Sequence, residues 1–499
     1  MFEVAELGHK ISKQEYEKQL PELRYGLLQA QEALKAADFP VLILVSGVDF
    51  AGKGQAINLL NEWMDPRYLR AFSFGKPTEE ERQRPEFWRY WRSLPARGHI
   101  GLYVGSWYSK PIADCLRKKC SDVDFDAALK RIVAFEETLV DDGALIIKFW
   151  LHLSKDAQKK RLKKLERNRE TRWRVTAEDH EHAKLYDNFM RIAERSLRET
   201  STGFAPWLII EGTDHRYRSL TIGQHILERV NERLARGQEV TKPEPQLHSI
   251  TAPLNDAGSI TVLSALNLDK TLEKEKYKKE LSHYQGRVGA LHRKAVAKKT
   301  SSIILFEGWD AAGKGGIIRR IIPAMDARHY QIIPVAAPTD EERAHHYLWR
   351  FWRHIPRAGH VTFYDRSWYG RVLVERVEGF AHRDEWMRAY TEINRFEEKL
   401  TDHGIVLVKF WIHIGKDEQL ARFKAREQIP HKKHKITEED YRNREKWEAY
   451  EQAVNDMVER TSTGYAPWHL IAGNDKRYAR VQALKVFSEH LERALKNKD

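Results

Sequence analysis

The chain repeats itself at one fixed offset. "SGVDFAGKG" (Ser46–Gly54) returns as "EGWDAAGKG" (Glu307–Gly315), "LIIKFWLHLSKD" (Leu145–Asp156) as "VLVKFWIHIGKD" (Val406–Asp417), and "ETSTGFAPW" (Glu199–Trp207) as "RTSTGYAPW" (Arg460–Trp468). Lys53 and Lys314, Lys148 and Lys409, and Trp207 and Trp468 are each 261 positions apart, and Tyr16 maps onto Tyr277 at the same spacing. Gapless correspondence over roughly 220 residues marks tandem duplication of a whole domain and not a short solenoid repeat. Whatever one half folds into, the other must share. Between the halves runs "RGQEVTKPEPQLHSITAPLNDAG" (Arg236–Gly258), whose Pro, Gly and polar content reads as a linker. The expected organisation is a domain at 1–235, a linker at 236–262 and a domain at 263–499. With 499 residues, 41% of them hydrophobic, each half can bury its own core.

Each half opens on a polar, helix-like stretch such as "SKQEYEKQL" or "EKYKKELSHY". A β-branched apolar run follows ("VLILV", "SIILF"), then a glycine-rich turn and a second helical segment. A further apolar run ("ALIIKFWLHL", "GIVLVKFWIHI") precedes a long charged helical region. Continuous apolar strands separated by helices predict a buried parallel sheet in a three-layer α/β/α domain. Trp150 and Trp411 sit inside these strand runs and are expected in the core.

Both "GVDFAGKG" and "GWDAAGKG" fit G-x-x-x-x-G-K at a strand-to-helix junction. Glycines there let backbone N–H groups converge on phosphate oxygens, and the next helix presents its positive end. Gly308, Gly313, Lys314 and Gly315 are therefore candidate phosphate binders in the second half, with Lys53 the counterpart of Lys314. Gly54 and Gly315 stand where a P-loop normally carries Ser or Thr to hold Mg²⁺. The metal still needs oxygen ligands, and the aspartates inside the loops, Asp49 and Asp310, could replace the missing hydroxyl.

The second half also contains "HVTFYDRSWYGR", a short apolar strand that ends on Asp365. A P-loop protein places its metal-holding Walker B carboxylate there. Asp365 is a candidate Mg²⁺ ligand, and Arg366 is expected to face the transferring phosphate. The first half reads "LYVGSWYSK" at this point, with Val104 and Gly105 in place of the charged pair. Valine cannot bind a metal and glycine cannot neutralise charge, so the first half is expected to be catalytically weak or dead.

After the last long strand the second half reads "KDEQLARFKAREQIPHKKHK" (Lys416–Lys435), with seven Lys/Arg against three acids. Arg422 and Arg426 are four apart and share a helix face, from which they could close over a phosphate chain as a lid. The matching first-half segment (Lys155–Arg174) has ten Lys/Arg against three acids, enough for polyanion binding without turnover. A metal role for His431 and His434 amid lysines is disfavoured. The formal net charge of +13 favours an anionic partner without identifying it. No apolar run reaches the roughly 18 residues a membrane span needs. "MFEVAELGHK" lacks the basic-then-apolar pattern of a signal peptide. Cys115 and Cys120 read as two ordinary thiols of a cytoplasmic protein. Nucleic-acid and membrane partners are not expected, and self-association is left open.

Together "GWDAAGKGG", "DRSWYGRVLVERV", "EINRFEEKL", "KFWIHIGKDEQLARF" and "STGYAPW" resemble the polyphosphate kinase 2 family. The duplication resembles its two-domain class, which transfers phosphate from polyphosphate to AMP. The likeness covers roughly residues 10–235 and 265–499. It implies a P-loop kinase fold with a helical lid, and Mg²⁺-dependent transfer of the terminal phosphate of inorganic polyphosphate to AMP, giving ADP. Carried over, Asp310 and Lys314 are the Walker A residues, and Asp365 and Arg366 the Walker B residues. Arg371 and Glu375 place the nucleotide acceptor or the metals, and Arg422 and Arg426 belong to the lid. The first half departs from this pattern at Val104, Gly105 and Lys110. Alternatives are an ADP or GDP acceptor, an ATP-dependent nucleoside monophosphate kinase, and a polyanion-binding protein without turnover.

Overall fold

The computed structural model describes residues 1–239, 261–428 and 438–497. His431 and His434 of the charged segment lie outside the described residues. The chain forms two compact units. They are not divided by a single cut, since Thr78–Trp88 groups with the second unit and Asp340–His346 with the first. At the 261-residue offset Asp340–His346 corresponds to Glu79–Pro85, inside the other segment.

The first unit is built on β1 (Val41–Gly47), β2 (Leu69–Ser73), β3 (Ile100–Val104), β4 (Leu145–His152) and β5 (Trp207–Glu211). Its sheet runs β2-β3-β1-β4-β5, every pairing parallel. The second unit repeats this with β6 (Ser302–Gly308), β7 (Tyr330–Pro334), β8 (Val361–Asp365), β9 (Val406–His413) and β10 (Trp468–Ala472), in the order β7-β8-β6-β9-β10. Parallel neighbours require crossover connections, and helices supply them. The central strands are buried along their length, which is why they read as unbroken apolar runs. Sheets of this kind offer a ligand crevice at the carboxyl ends of the strands. In both units that edge carries the glycine-rich loop.

One polar network is buried identically in each unit. Lys409, in β9, donates from Nζ to Glu397 Oε2 at 2.7 Å, Tyr369 Oη at 2.9 Å and the Thr461 carbonyl at 2.7 Å. Glu397 Oε1 accepts from Trp368 Nε1 and Tyr369 Oη. Lys148, Glu136, Trp107, Tyr108 and Thr200 reproduce every one of these bonds in the first unit. A buried ion pair survives only when its remaining donors and acceptors are also met. This accounts for a sequence oddity. The Trp-Tyr pair of this frame is present in both halves because it satisfies the core glutamate, whereas the nearby Asp-Arg pair has no part in that network.

Trp150 and Trp411 are buried as expected. The cysteines differ from expectation: Cys115 and Cys120 form a disulfide. It spans the turn after the helix Ser109–Leu116, where Lys118 adopts a left-handed φ of 57° and brings the two Cα atoms to 5.1 Å. Among the described residues no helix is long and apolar enough to cross a membrane.

Candidate active site

In the second unit the loop leaves β6 at Gly308, whose φ is 147°. A Cβ there would fall 2.5 Å from the Ile412 carbonyl, so only glycine lets the loop run this close to β9. Gly313, with φ 112°, caps the helix Lys314–Ile321. Lys314 folds back from the first turn and donates to the carbonyls of Gly308 at 2.6 Å and Trp309 at 3.2 Å. Burial lowers the pKa of its amine, against the attraction of Asp310.

Asp310 Oδ1 accepts from Arg366 Nη2 at 2.9 Å, and its Oδ2 accepts from Asn443 Nδ2 at 3.2 Å. Burial opposes ionisation of this carboxyl, but the charges of Lys314 and Arg366 prevail and hold it below the usual carboxylate range. Asp365 ends β8 beside the loop strand. A Cβ on Gly315 would lie 3.5 Å from Asp365 Oδ2. The loop position after the lysine therefore faces the Asp365 carboxylate, and as glycine it carries no hydroxyl. Lys314 and Arg366 each feel both aspartates. Arg366 has a left-handed φ of 64°, strained for a side chain of its size. Its N–H anchors to the Phe306 carbonyl at 3.0 Å.

The structure thus gathers Asp310, Lys314, Asp365 and Arg366 around Gly308, Gly313 and Gly315. Arg371 and Glu375 form a separate ion pair at 3.3 Å, with the Arg371 guanidinium 4.6 Å over the Tyr347 ring. Burial raises the Glu375 carboxyl. Among the described residues, no hydrogen bond or ion pair joins this pair to the quartet.

Arg422 departs from the expected phosphate-facing lid position. It is 4% exposed, and its guanidinium donates to the carbonyls of Ala311, Ala312, Gly473 and Asn474 and to Glu418 Oε1. Carbonyls face away from the N–H groups that would cradle a phosphate, so Arg422 braces the loop from behind. Arg426 remains half-buried on the same helix, where its charge acts with those of Arg422 and Arg480 on Lys476.

Three contributors escaped the sequence reading. Glu307, buried at the end of β6, accepts from Ser367 Oγ at 2.7 Å, and burial raises its pKa. The signal was visible as Ser46 opposite Glu307 inside the aligned motif. Asn443 and His413 had none. His413 Nδ1 accepts from both Trp309 and Trp411, and burial drives its pKa down to about 4, so it is a neutral acceptor.

The first unit keeps the loop but not this arrangement. Gly105, φ 65°, takes the place of Arg366, and a Cβ there would be 2.4 Å from the Phe74 carbonyl. With no arginine present, Lys53 itself binds Asp49 Oδ1 at 3.1 Å, and His182 Nδ1 lies 3.1 Å from Asp49 Oδ2. Lys110–Asp114, 2.8 Å apart, echoes Arg371–Glu375.

Parallel sheets that present a glycine loop, its lysine and a strand-end aspartate at one edge define a P-loop phosphotransferase architecture. The polyphosphate kinase 2 family model matches residues 10–238 and 271–499, and the chain belongs to that family. It is 49% identical over 497 residues to a polyphosphate:AMP phosphotransferase of Pseudomonas aeruginosa, covering 99% of both chains. It is 39% identical to one of Acinetobacter johnsonii, covering 95% of this chain and 94% of that one. A crystal structure assigned to polyphosphate kinase 2 of Pseudomonas aeruginosa superposes along the full length of both chains, with TM-score 0.88 and 46% identity.

Proposed function

We propose that the chain is a cytoplasmic Mg²⁺-dependent phosphotransferase that moves the terminal phosphate of inorganic polyphosphate to AMP, with its second unit as the working half. Relatives of this name match nearly end to end, which supports the donor and the acceptor. The observation that carries the division of labour is the Asp310–Arg366 pair beside Lys314 and Asp365, against Lys53 neutralised by Asp49 in the first unit.

An AMP phosphate oxygen bonds to the terminal phosphorus while the P–O bond to the rest of the donor breaks, and the shortened chain leaves with that electron pair. The AMP phosphate is already ionised near neutral pH, so no strong general base is needed. Positioning and charge neutralisation do the chemistry. Backbone N–H groups of the loop hold donor oxygens, and Lys314 and Arg366 face the transferred group. Arg371 and Glu375 place the acceptor.

The residues present fit Mg²⁺, a hard cation held by one or two carboxylates plus substrate phosphates and water. Asp365 and Asp310 would hold it, and when bound it neutralises charge on the phosphates. No group of three His, Cys, Asp or Glu is found among the described residues, and a phosphate-shared Mg²⁺ does not need one.

A donor and acceptor panel tests the proposal. ADP should form from AMP with polyphosphate and Mg²⁺ and not with ATP as donor, and GMP, ADP and GDP should be poorer acceptors. Turnover with ATP alone would reject it.

A further inference from the structure

The helix Lys155–Arg167 of the first unit carries a feature that the proposed reaction does not use. Lys160, Lys164 and Arg167 stand where the second unit has Ala421, Ala425 and Gln428, and Lys163 matches Lys424. Spaced i, i+3, i+4 and i+7, the four cations share one face about 10 Å long. All four are exposed and, with Asn168, line a single cleft of about 390 Å³. None has an ion pair or hydrogen bond to a described residue. Glu166, the acid in this stretch, lies 2.8 Å from His180 instead. Among the described residues the face is therefore a row of mutually repelling charges with no counter-charge of its own, suited to an outside anion.

The chemistry of the row narrows the anion. Three of the four groups are ammonium point charges on flexible stems, suited to a string of charges with no fixed geometry. Single-stranded nucleic acid is normally held by basic grooves with aromatic stacking platforms. The cleft has no aromatic lining, and Trp173, exposed on the following turn, is not part of it. The first unit's own cradle offers a poor alternative for an anion, because Lys53 is already paired with Asp49.

We propose that this face is a second, non-catalytic binding site for inorganic polyphosphate, a tether that retains long donor chains on the enzyme between transfers. The inference rests on polyphosphate being the donor. A long chain held at one point presents its free end at a raised effective concentration, so its apparent affinity rises without any change in the reacting site. A short oligophosphate cannot occupy both sites and gains nothing.

The test is the full-length variant Lys160→Ala, Lys164→Ala, Arg167→Gln, which installs the second unit's own residues on an exposed helix face. With long-chain polyphosphate its KM should rise about tenfold, and the log–log salt dependence of binding should flatten by roughly 2. The kcat, and the KM for an oligophosphate of a few units, should stay at wild-type values. Unchanged KM for long chains overturns the proposal, and so does an equal loss with short and long donors. Weakened single-stranded RNA binding with unaltered use of long polyphosphate would overturn it in favour of a nucleic-acid surface. Should the wild type not phosphorylate AMP from polyphosphate, the donor reading itself has failed. Direct titration of both proteins with long-chain polyphosphate then decides the tether separately: weaker binding by the variant supports it, equal binding overturns it.

Discussion

Lys53 and Lys314 occupy one position in two copies of the same loop, and the neighbour that separates them lies on another strand. In the second unit Arg366 pairs with Asp310, and Lys314 donates to the loop carbonyls but, among the described residues, makes no hydrogen bond to that aspartate. In the first unit, where Gly105 stands in place of that arginine, Asp49 is met by Lys53 and His182, and Lys53 donates to it as well as to the loop carbonyls of Gly47 and Val48. The buried Lys–Glu–Trp–Tyr network meanwhile is the same in both units. The copies have therefore diverged in chemistry while holding their cores, and structure and activity can be perturbed separately.

The largest effect should come from Asp365→Asn. It should lower kcat by at least about 10³-fold, while Val104→Ala changes nothing, as read in a steady-state AMP phosphorylation assay. A sizeable effect of Val104→Ala would break the comparison.

Next, Lys148→Met and Lys409→Met each strand a buried glutamate and should cost about 3–5 kcal/mol of stability in urea unfolding. The two losses should match, because the networks do. Arg366→Gly comes third, dropping kcat about 10²-fold while relieving backbone strain worth about 1 kcal/mol. The converse change, Gly105→Arg, should destabilise by about 1–3 kcal/mol and create no second active site, because its Cβ would press on the Phe74 carbonyl.

The smallest test is the titration of His413. Its folded pKa of about 4 lies below the ordinary 6.5, so the unfolded chain binds the extra proton between these values. Its contribution to stability is complete above pH 6.5 and is lost as pH falls toward 4. NMR should find the imidazole neutral at pH 5.5. His152, its first-unit equivalent, lies 2.8 Å from Glu6 and has no such pair of indole donors.

Local motifs made the cradle, the strand-end aspartate and the asymmetry between halves readable, because each lies within a few consecutive residues. Relations that only folding creates were not. Helical spacing put Arg422 and Arg426 on one face, but it could not say that Arg422 reaches the loop from its carbonyl side. Asn443 meets Asp310 across 133 residues of sequence. The pairing of Lys53 with Asp49 goes with the absence of an arginine at the end of the neighbouring strand β3. Cys115 and Cys120 looked like independent thiols because composition does not register a left-handed turn at Lys118.

Lys53→Ala and Lys314→Ala, assayed side by side with polyphosphate and AMP, put the unequal roles of the two units to the most direct trial. Lys314→Ala should lose at least about 10³-fold in kcat, whereas Lys53→Ala should keep kcat within about twofold of wild type. Equal losses from the two substitutions would contradict the account.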